Sequence, residues 1–178
     1  MSDPYDSMSA EELRGWLTDA AKLWLAHDGL WFQAVEKDAG LAKAIAADAE
    51  AWRRFSPLEA KRIMQRLDLA PGGGIPALVR CLQYRLYARL NRQRVVEQSD
   101  KRCVFRMEAC RVQDARKRKG LQDFPCKEVV LVEYTTFAAT VDPRLRTRCL
   151  GCPPDPHPDD WYCTWEFTLA DEEAGHSG

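Results

Sequence analysis

The sequence lacks an excess of charge of either sign, a long apolar run and an apolar leader. Its 178 residues include 26 Lys or Arg and 27 Asp or Glu, which gives a formal net charge of −1. Such a balance does not imply a dominant electrostatic partner such as duplex DNA or an anionic membrane. No apolar stretch is long enough to span a bilayer, and the polar N-terminus has no signal-peptide core. We therefore expect a cytoplasmic protein that binds neither membranes nor nucleic acids.

Internal repeats and low-complexity segments are also missing, whereas hydrophobic residues and cysteine are well represented. Hydrophobic residues make up 46% of the chain, which is enough for a sizeable core, and there are seven cysteines. An odd number of cysteines in a reducing compartment argues against a disulfide framework. The pattern favours metal binding or thiol chemistry for some of them, and the alternative is that they are small buried hydrophobes.

The first half of the chain has the apolar spacing of helices. Ser9 and Glu12 predict a capping box at the first helix. The segment 27–29, His-Asp-Gly, predicts a break in that helix, and Ser56-Pro57 predicts the start of a separate one. The predicted helices cover residues 9–40 with the break, 41–55, 56–67 and 75–90.

In the second half the period changes, and short β-rich runs alternate with helical ones. Strands are predicted at 94–97, 103–107, 144–149 and 162–169, and helices at 110–119 and 126–140. The expected fold is α+β, with a helical N-terminal half packed on a small antiparallel sheet and with helices in the C-terminal half. The predicted regions are a helical region 1–92, a cysteine-rich α+β region 93–170 that forms one compact unit with it, and a disordered tail 171–178.

Three cysteines and a histidine fall within one proline-rich segment near the C-terminus. Cys149 and Cys152 have the two-residue gap with which two thiolates bind one tetrahedral ion. Cys163 follows on the next predicted strand, and Cys126 or His157 can supply a fourth ligand. Zinc is the metal that such a sulfur-rich set favours, with an iron–sulfur cluster as the alternative.

Two other interpretations of these thiols are weaker. They can be buried cysteines without a ligand, or a redox pair of the thioredoxin type. The redox motif opens a helix after a strand, whereas Pro153-Pro154 directly follows Cys152 here, which disfavours it.

Two residues are candidates for catalysis. Cys110 begins a predicted helix, where the helix dipole and Arg111 are expected to lower its pKa and make it a nucleophile; a packed, inert cysteine is the alternative. Glu133 can act as a buried general base or can anchor a ligand. We expect Glu133, Tyr134 and Trp161 to line a small-molecule pocket.

The segment 105–169 resembles bacterial cytosolic proteins related to L-2-amino-thiazoline-4-carboxylic acid hydrolase and, more distantly, the 4-vinyl reductase domain, a small-molecule-binding module. The resemblance is carried by Cys110 opening a helix, Glu133-Tyr134 before Asp142-Pro143, Leu145-Arg146-Thr147, and Cys163 before Phe167. The likeness to the 4-vinyl reductase domain implies zinc bound near Cys149 and Cys163, beside a pocket for an aromatic ligand.

Together these patterns predict a cytosolic zinc protein with a pocket for a small molecule that is aromatic or carboxylated. Its zinc ligands are predicted to be Cys126, Cys149, Cys152 and Cys163, which would pin the sheet to a helix. One alternative is a zinc-dependent hydrolase of a cyclic C–N or C–S bond, in which Glu133 moves protons. The other is an interaction module held by a structural metal or an iron–sulfur cluster. A homodimer is left open.

Overall fold

The computed structural model describes residues 3–170, so the predicted disordered tail lies outside the described residues. The chain divides into two compact units, Met1–Ala44 and Ile45–Gly178. The sequence suggested a boundary after residue 92, where the residue pattern changes from helical to β-rich. That boundary stays a prediction. Within the described residues no helix has the length and apolar character that crossing a bilayer requires.

Helix α1, Ala10–Ala39, accounts for most of the first unit. The predicted capping box is confirmed, because the Glu12 amide donates to Ser9 Oγ at 3.2 Å and the Ser9 amide donates to Glu12 Oε2 at 2.8 Å. The predicted break at 27–29 is wrong, since the helix is continuous there. One glycine inside a helix costs about 1 kcal/mol relative to alanine, and a long helix rich in alanine and leucine tolerates that cost.

Helix α2, Leu41–Arg66, is also continuous, so the predicted helix start at Ser56-Pro57 is wrong. A proline inside a helix costs about 3 kcal/mol because it removes one backbone hydrogen bond and crowds the preceding turn. The reason that the helix continues is packing. Its buried stripe runs through the proline at helical spacing: Trp52, Ser56, Ala60, Ile63 and Met64 are all buried.

Helix α3, Gly74–Leu82, ends eight residues before its predicted end. Residues Leu86–Arg89 form a short 3-10 helix instead. The chain leaves the helix because Arg85, in an extended conformation, turns into the interior, where only 2% of its side chain is exposed. Arg85 forms ion pairs with buried carboxylates there, and the chain does not continue as an α-helix.

Four strands form one antiparallel sheet in the order β1-β2-β4-β3. The strands are β1, Arg92–Gln98; β2, Arg102–Ala109; β3, Leu145–Gly151; and β4, Cys163–Leu169. Helix α4, Arg111–Arg118, and helix α5, Lys127–Val141, lie between β2 and β3 in the chain. The predicted strands and both predicted helices are confirmed, and so is the α+β class.

The inner face of the sheet is apolar, and the outer face carries charged and polar side chains. Inner-face residues of β2 and β4 join buried residues of α3 and α5 in one core: Cys103, Phe105, Met107, Trp165 and Phe167 from the strands, Leu78 and Cys81 from α3, and Phe137 and Val141 from α5. Alternation along each strand sends the neighbouring residues to the outer face. The cysteines discussed below lie at the edge of this core.

Candidate functional site

Five cysteines from different elements lie close together, and we call them the thiol cluster: Cys110, Cys126, Cys149, Cys152 and Cys163. The sulfur atoms of Cys126 and Cys152 are 3.6 Å apart. The Cys152 thiol also interacts with that of Cys163. The structure therefore brings together cysteines that are separated by as many as 53 positions in the chain.

A β-bulge explains how Cys149 and Cys152 reach the same side of the sheet. Residues three apart in a regular strand point to opposite faces. Here the pairing with β4 shifts register between Cys149, which pairs with Trp165, and Gly151, which pairs with Thr164. The extra residue shifts the alternation of side chains by one position, which brings Cys152 to the same face as Cys149. Cys152 then lies against Cys126 at the start of α5.

Cys110 also belongs to this cluster, and its membership was not predicted from the sequence. It is the N-cap residue of α4, and its electrostatic neighbours include Cys163 and Cys126. Burial raises the pKa of its thiol to about 12, against the opposing effect of the Gln113 and Val112 amides. The pKa lowering that we expected for a nucleophile is therefore wrong, because burial outweighs the helix terminus.

Gln113 holds Cys126 in place. Its side-chain amide donates to the carbonyl of Phe124 at 2.9 Å and accepts from the Phe124 amide at 2.8 Å. The same Nε2 lies 3.5 Å from the Cys126 sulfur. Since Gln113 is only 1% exposed, these bonds fix the segment before α5 against α4.

Besides Cys110, two thiols of the cluster, Cys149 and Cys152, have raised pKa values. Hydrogen bonding with Cys126 and Cys163, together with burial, raises the pKa of Cys152 far above its ordinary value. Burial also raises the pKa of Cys149, although the Gly151 amide and Lys127 oppose it. Proton release from such thiols requires a strong compensating cation.

An ion pair attaches the proline-rich loop to α5. Lys127 Nζ lies 2.8 Å from Asp155 Oδ2, and the Lys127 amide donates to the Pro153 carbonyl at 3.0 Å. The loop that carries Cys152 therefore starts from a fixed position beside the N-terminus of α5. Both partners of the ion pair are partly exposed, so its contribution to stability is small.

His157 points to other partners. Its Nε2 lies 3.0 Å from Asp123 Oδ2, and its Nδ1 lies 2.8 Å from the Pro158 carbonyl. Burial alone would lower the pKa of His157, but Pro158 and Asp123 raise it above its ordinary value. Both ring nitrogens are thus engaged away from the sulfurs, and its predicted part as a metal ligand stays a prediction.

Glu133 and Tyr134 lie in the packed interior. Glu133 Oε1 is 2.6 Å from Arg85 Nη1, and Glu59 Oε2 is 2.8 Å from Arg85 Nε. Burial would lower the pKa of Arg85, but these two carboxylates raise it. We call these three residues the Arg85 network. Tyr134 packs against aromatic rings with centroids 5.2–5.8 Å away: Phe105, Trp165 and Phe167.

The remaining predicted pocket residue, Trp161, lies against Gly151. A Cβ added to Gly151 would come within 3.0 Å of the indole ring. A shallow cavity of about 320 Å³ lies elsewhere in this unit, between α3 and the edge strand β1, where Leu82, Val95 and Phe105 contribute to its wall. Glu133, Tyr134 and Trp161 are not among its lining residues.

The thiol cluster has the donor chemistry of a soft-metal site. Thiolates select zinc, copper(I) or iron–sulfur clusters rather than hard cations. Across residues 3–170, no group of three or more His, Cys, Asp or Glu side chains is placed so that it could hold a metal ion. The observed arrangement is one sulfur pair in contact with further thiols beside it, which fits zinc in donor type.

One family model matches the chain over residues 6–169, and its description is "Family of unknown function (DUF6125)". The match covers most of the sequence and includes the whole thiol cluster and the whole sheet. No curated protein and no solved structure matches the chain. The resemblance to the thiazoline-carboxylate hydrolase group and to the 4-vinyl reductase domain therefore stays a prediction.

Proposed function

We propose that this chain, which belongs to the family of unknown function DUF6125, is a zinc-binding protein. Cys126, Cys152 and Cys163 would hold the ion, and Cys149 would be the fourth ligand. The observation that carries the proposal is the 3.6 Å distance between the sulfurs of Cys126 and Cys152. Both residues are remote in sequence and are positioned by separate contacts.

That distance is close to what a shared zinc ion requires. Sulfur ligands lie about 2.3 Å from zinc, and at a tetrahedral angle two of them are about 3.8 Å apart. A disulfide would require about 2.0 Å between the same atoms. The two sulfurs are too far apart for a covalent bond, and their separation supports the proposal of a bridging ion.

The other ligands lie within reach of small changes. Cys163 interacts with Cys152, and Cys149 has Cys163 among its electrostatic neighbours. A cysteine sulfur moves between staggered positions by rotation about one bond, and the proposal expects such rotations to complete the ligand set. Cys110 is the alternative fourth ligand, since Cys126 and Cys163 are its neighbours.

A zinc ion there would supply a further cross-link in this region. It would join the start of α5, the loop after β3 and the first residue of β4. Four protein ligands make a closed structural site, whereas three leave a position for water. We favour the structural function because more than three cysteines are available.

Elemental analysis of protein purified without a metal-affinity tag tests the proposal. We expect about one zinc ion per chain in the wild type, since folded thiolate sites retain their metal. Separate Cys126→Ser, Cys152→Ser and Cys163→Ser variants are expected to lose most of it. Cys81→Ala is the matched control, because Cys81 is a buried free cysteine of α3 outside the cluster.

Gel filtration and circular dichroism would show whether each variant is folded. Loss of zinc in folded cluster variants, with zinc retained in the Cys81→Ala control, supports the proposal. A folded wild type that takes up no stoichiometric zinc from a zinc-containing buffer rejects it. Brown, iron-containing protein would favour the iron–sulfur alternative over zinc.

The hydrolase alternative would need Glu133 beside an open zinc position. Glu133 is instead bound to Arg85 at 2.6 Å and is buried with it. This contact occupies the carboxylate with a cation, which does not favour proton transfer to a substrate. Zinc-dependent hydrolysis and a pocket for an aromatic or carboxylated molecule stay predictions.

A further inference from the structure

The outer face of the sheet carries arginines that are paired with carboxylates. Each carboxylate lies between two arginines, at distances of 2.7–3.2 Å: Glu108 between Arg92 and Arg94, and Glu166 between Arg102 and Arg148. Such partly exposed pairs neutralise the face and add little stability. An arginine on the same face without a carboxylate partner therefore differs from its neighbours.

Arg106 is that unpaired arginine. Among residues 3–170 no carboxylate forms a salt bridge with it, and its buried Nε has no hydrogen-bond partner. Its guanidinium lies 5.5 Å from the centre of the Trp161 ring. The residue directly opposite on β1 is Arg94, a second cation. Like charges in that relation destabilise a sheet, and Glu108, the carboxylate nearby, is engaged with Arg92 and Arg94 rather than with Arg106.

A second unsatisfied group lies next to it. Thr164 is the partner of Arg106 on β4, is 4% exposed, and its hydroxyl has no hydrogen-bond partner within the described part of the chain. The partner of Thr164 on its other side is Gly151, which the Trp161 ring covers. Two neighbouring donors, from Arg106 and Thr164, thus lie beside one aromatic wall.

We propose that Arg106, Thr164 and Trp161 form a binding site for the oxyanion group, carboxylate or phosphate, of a small molecule. A guanidinium binds such groups through two parallel hydrogen bonds, and a threonine hydroxyl adds a third donor. An oxyanion accepts from both, whereas a cation would be repelled by Arg106. Because neither donor has exposed surface at its unpaired atom, the Arg106 side chain must turn outward as the ligand enters.

This site does not depend on zinc, since none of its residues belongs to the thiol cluster. Calorimetric titration of the full chain with inorganic phosphate and, separately, with benzoate tests it, with sodium chloride keeping the ionic strength constant. We expect saturable binding of at least one probe. Arg106→Gln should weaken that binding at least tenfold, and Arg148→Gln, which changes a paired arginine of the same face, less than threefold.

The Thr164→Val variant separates binding from folding. It replaces an unpaired hydroxyl with a methyl group of the same shape, so the melting temperature should stay the same or rise. Binding should nevertheless weaken about threefold or more. Binding of phosphate alone or of benzoate alone, if lost in Arg106→Gln, supports the site and identifies its headgroup. No saturable binding of either probe, or unchanged binding in Arg106→Gln, overturns it.

Discussion

The thiol cluster and the Arg85 network both bring polar side chains from distant parts of the chain against α5. In the Arg85 network opposite charges meet, since Arg85 contacts Glu59 and Glu133 at 2.8 and 2.6 Å. Aromatic rings enclose its guanidinium, with the Phe137 ring centre 4.8 Å away. In the thiol cluster, sulfur donors of one kind face one another, and within residues 3–170 no salt bridge is formed by a member of the cluster.

The difference lies in how far each region satisfies its own polar groups. In a buried ion pair with close contacts, the attraction between the charges offsets much of the cost of removing them from water. Such a pair needs no further ligand. A group of thiols gains little from mutual contact, because a thiol is a weak donor and a weak acceptor. Under our proposal, a shared metal ion would satisfy four of the five in one place.

Loss of the metal should have the largest effect on stability. Structural zinc in small domains contributes an apparent 10 kcal/mol or more, so Cys152→Ser should lower the free energy of unfolding by at least about 5 kcal/mol. Cys152 is the most informative position because it interacts with both Cys126 and Cys163. Denaturant unfolding of zinc-loaded wild type, of Cys152→Ser and of the Cys81→Ala control measures the effect. Equal stabilities with and without a zinc chelator would contradict it.

Disruption of the Arg85 network should reduce stability without changing zinc content. Arg85→Met leaves two buried carboxylates without their cation, which costs about 3–5 kcal/mol. Glu133→Gln retains the shape of the side chain and should cost less. Urea unfolding and elemental analysis of the same samples would check both statements. Zinc loss in folded Glu133→Gln would mean that the two regions are not separate, and it would favour the alternative in which Glu133 acts beside the metal.

Gln113 supports the cluster from outside, and its removal should have an intermediate effect. Gln113→Ala leaves the amide and the carbonyl of Phe124 without their observed partners, at a cost of about 1–3 kcal/mol for each buried group. The variant should retain zinc with lower affinity, because Cys126 loses a neighbouring donor. Competition with a chromogenic chelator measures the affinity. Unchanged zinc affinity would show that Gln113 acts on the fold alone.

A smaller effect concerns pH and a third buried group, Asp142. Arg144 holds the pKa of this carboxyl below its ordinary value, against the opposing effect of burial, and the Gly74 amide donates to it at 3.0 Å. The resulting stability is fully present above the ordinary pKa of about 4 and is lost as the pH falls through the lowered folded value. Asp142→Asn should cost about 1–2 kcal/mol at pH 7 and flatten the acid limb of the stability curve. An unchanged acid limb would contradict this assignment.

Much of the fold could be predicted from the sequence, because local patterns determined it. The Ser9–Glu12 capping box, the two C-terminal helices and all four strands follow from spacing and end signals. The continuity of α2 through Pro57 could not be predicted, since it depends on a buried stripe that only tertiary packing reveals. The early end of α3 likewise follows from the burial of Arg85 beside partners more than 25 residues away.

The candidate site was only partly predictable. The spacing of Cys149 and Cys152 indicated a metal site, but in a regular strand that spacing would separate the two sulfurs, and the bulge that reunites them has no clear sequence signal. Cys110 was assigned to catalysis because it opens a helix. Its place beside Cys163 follows from strand register. Cys163 pairs with Met107 near the end of β2, and Cys110 follows directly after β2 as the N-cap residue of α4.

X-ray absorption at the zinc edge of the purified full chain tests the central claim most directly. The account predicts a first shell of at least three sulfur atoms at about 2.3 Å from the metal. Four sulfurs would indicate a closed structural site, and three with one lighter atom an open one. A first shell composed of nitrogen and oxygen at about 2.0–2.1 Å would contradict the account, because it would place the metal away from the thiol cluster.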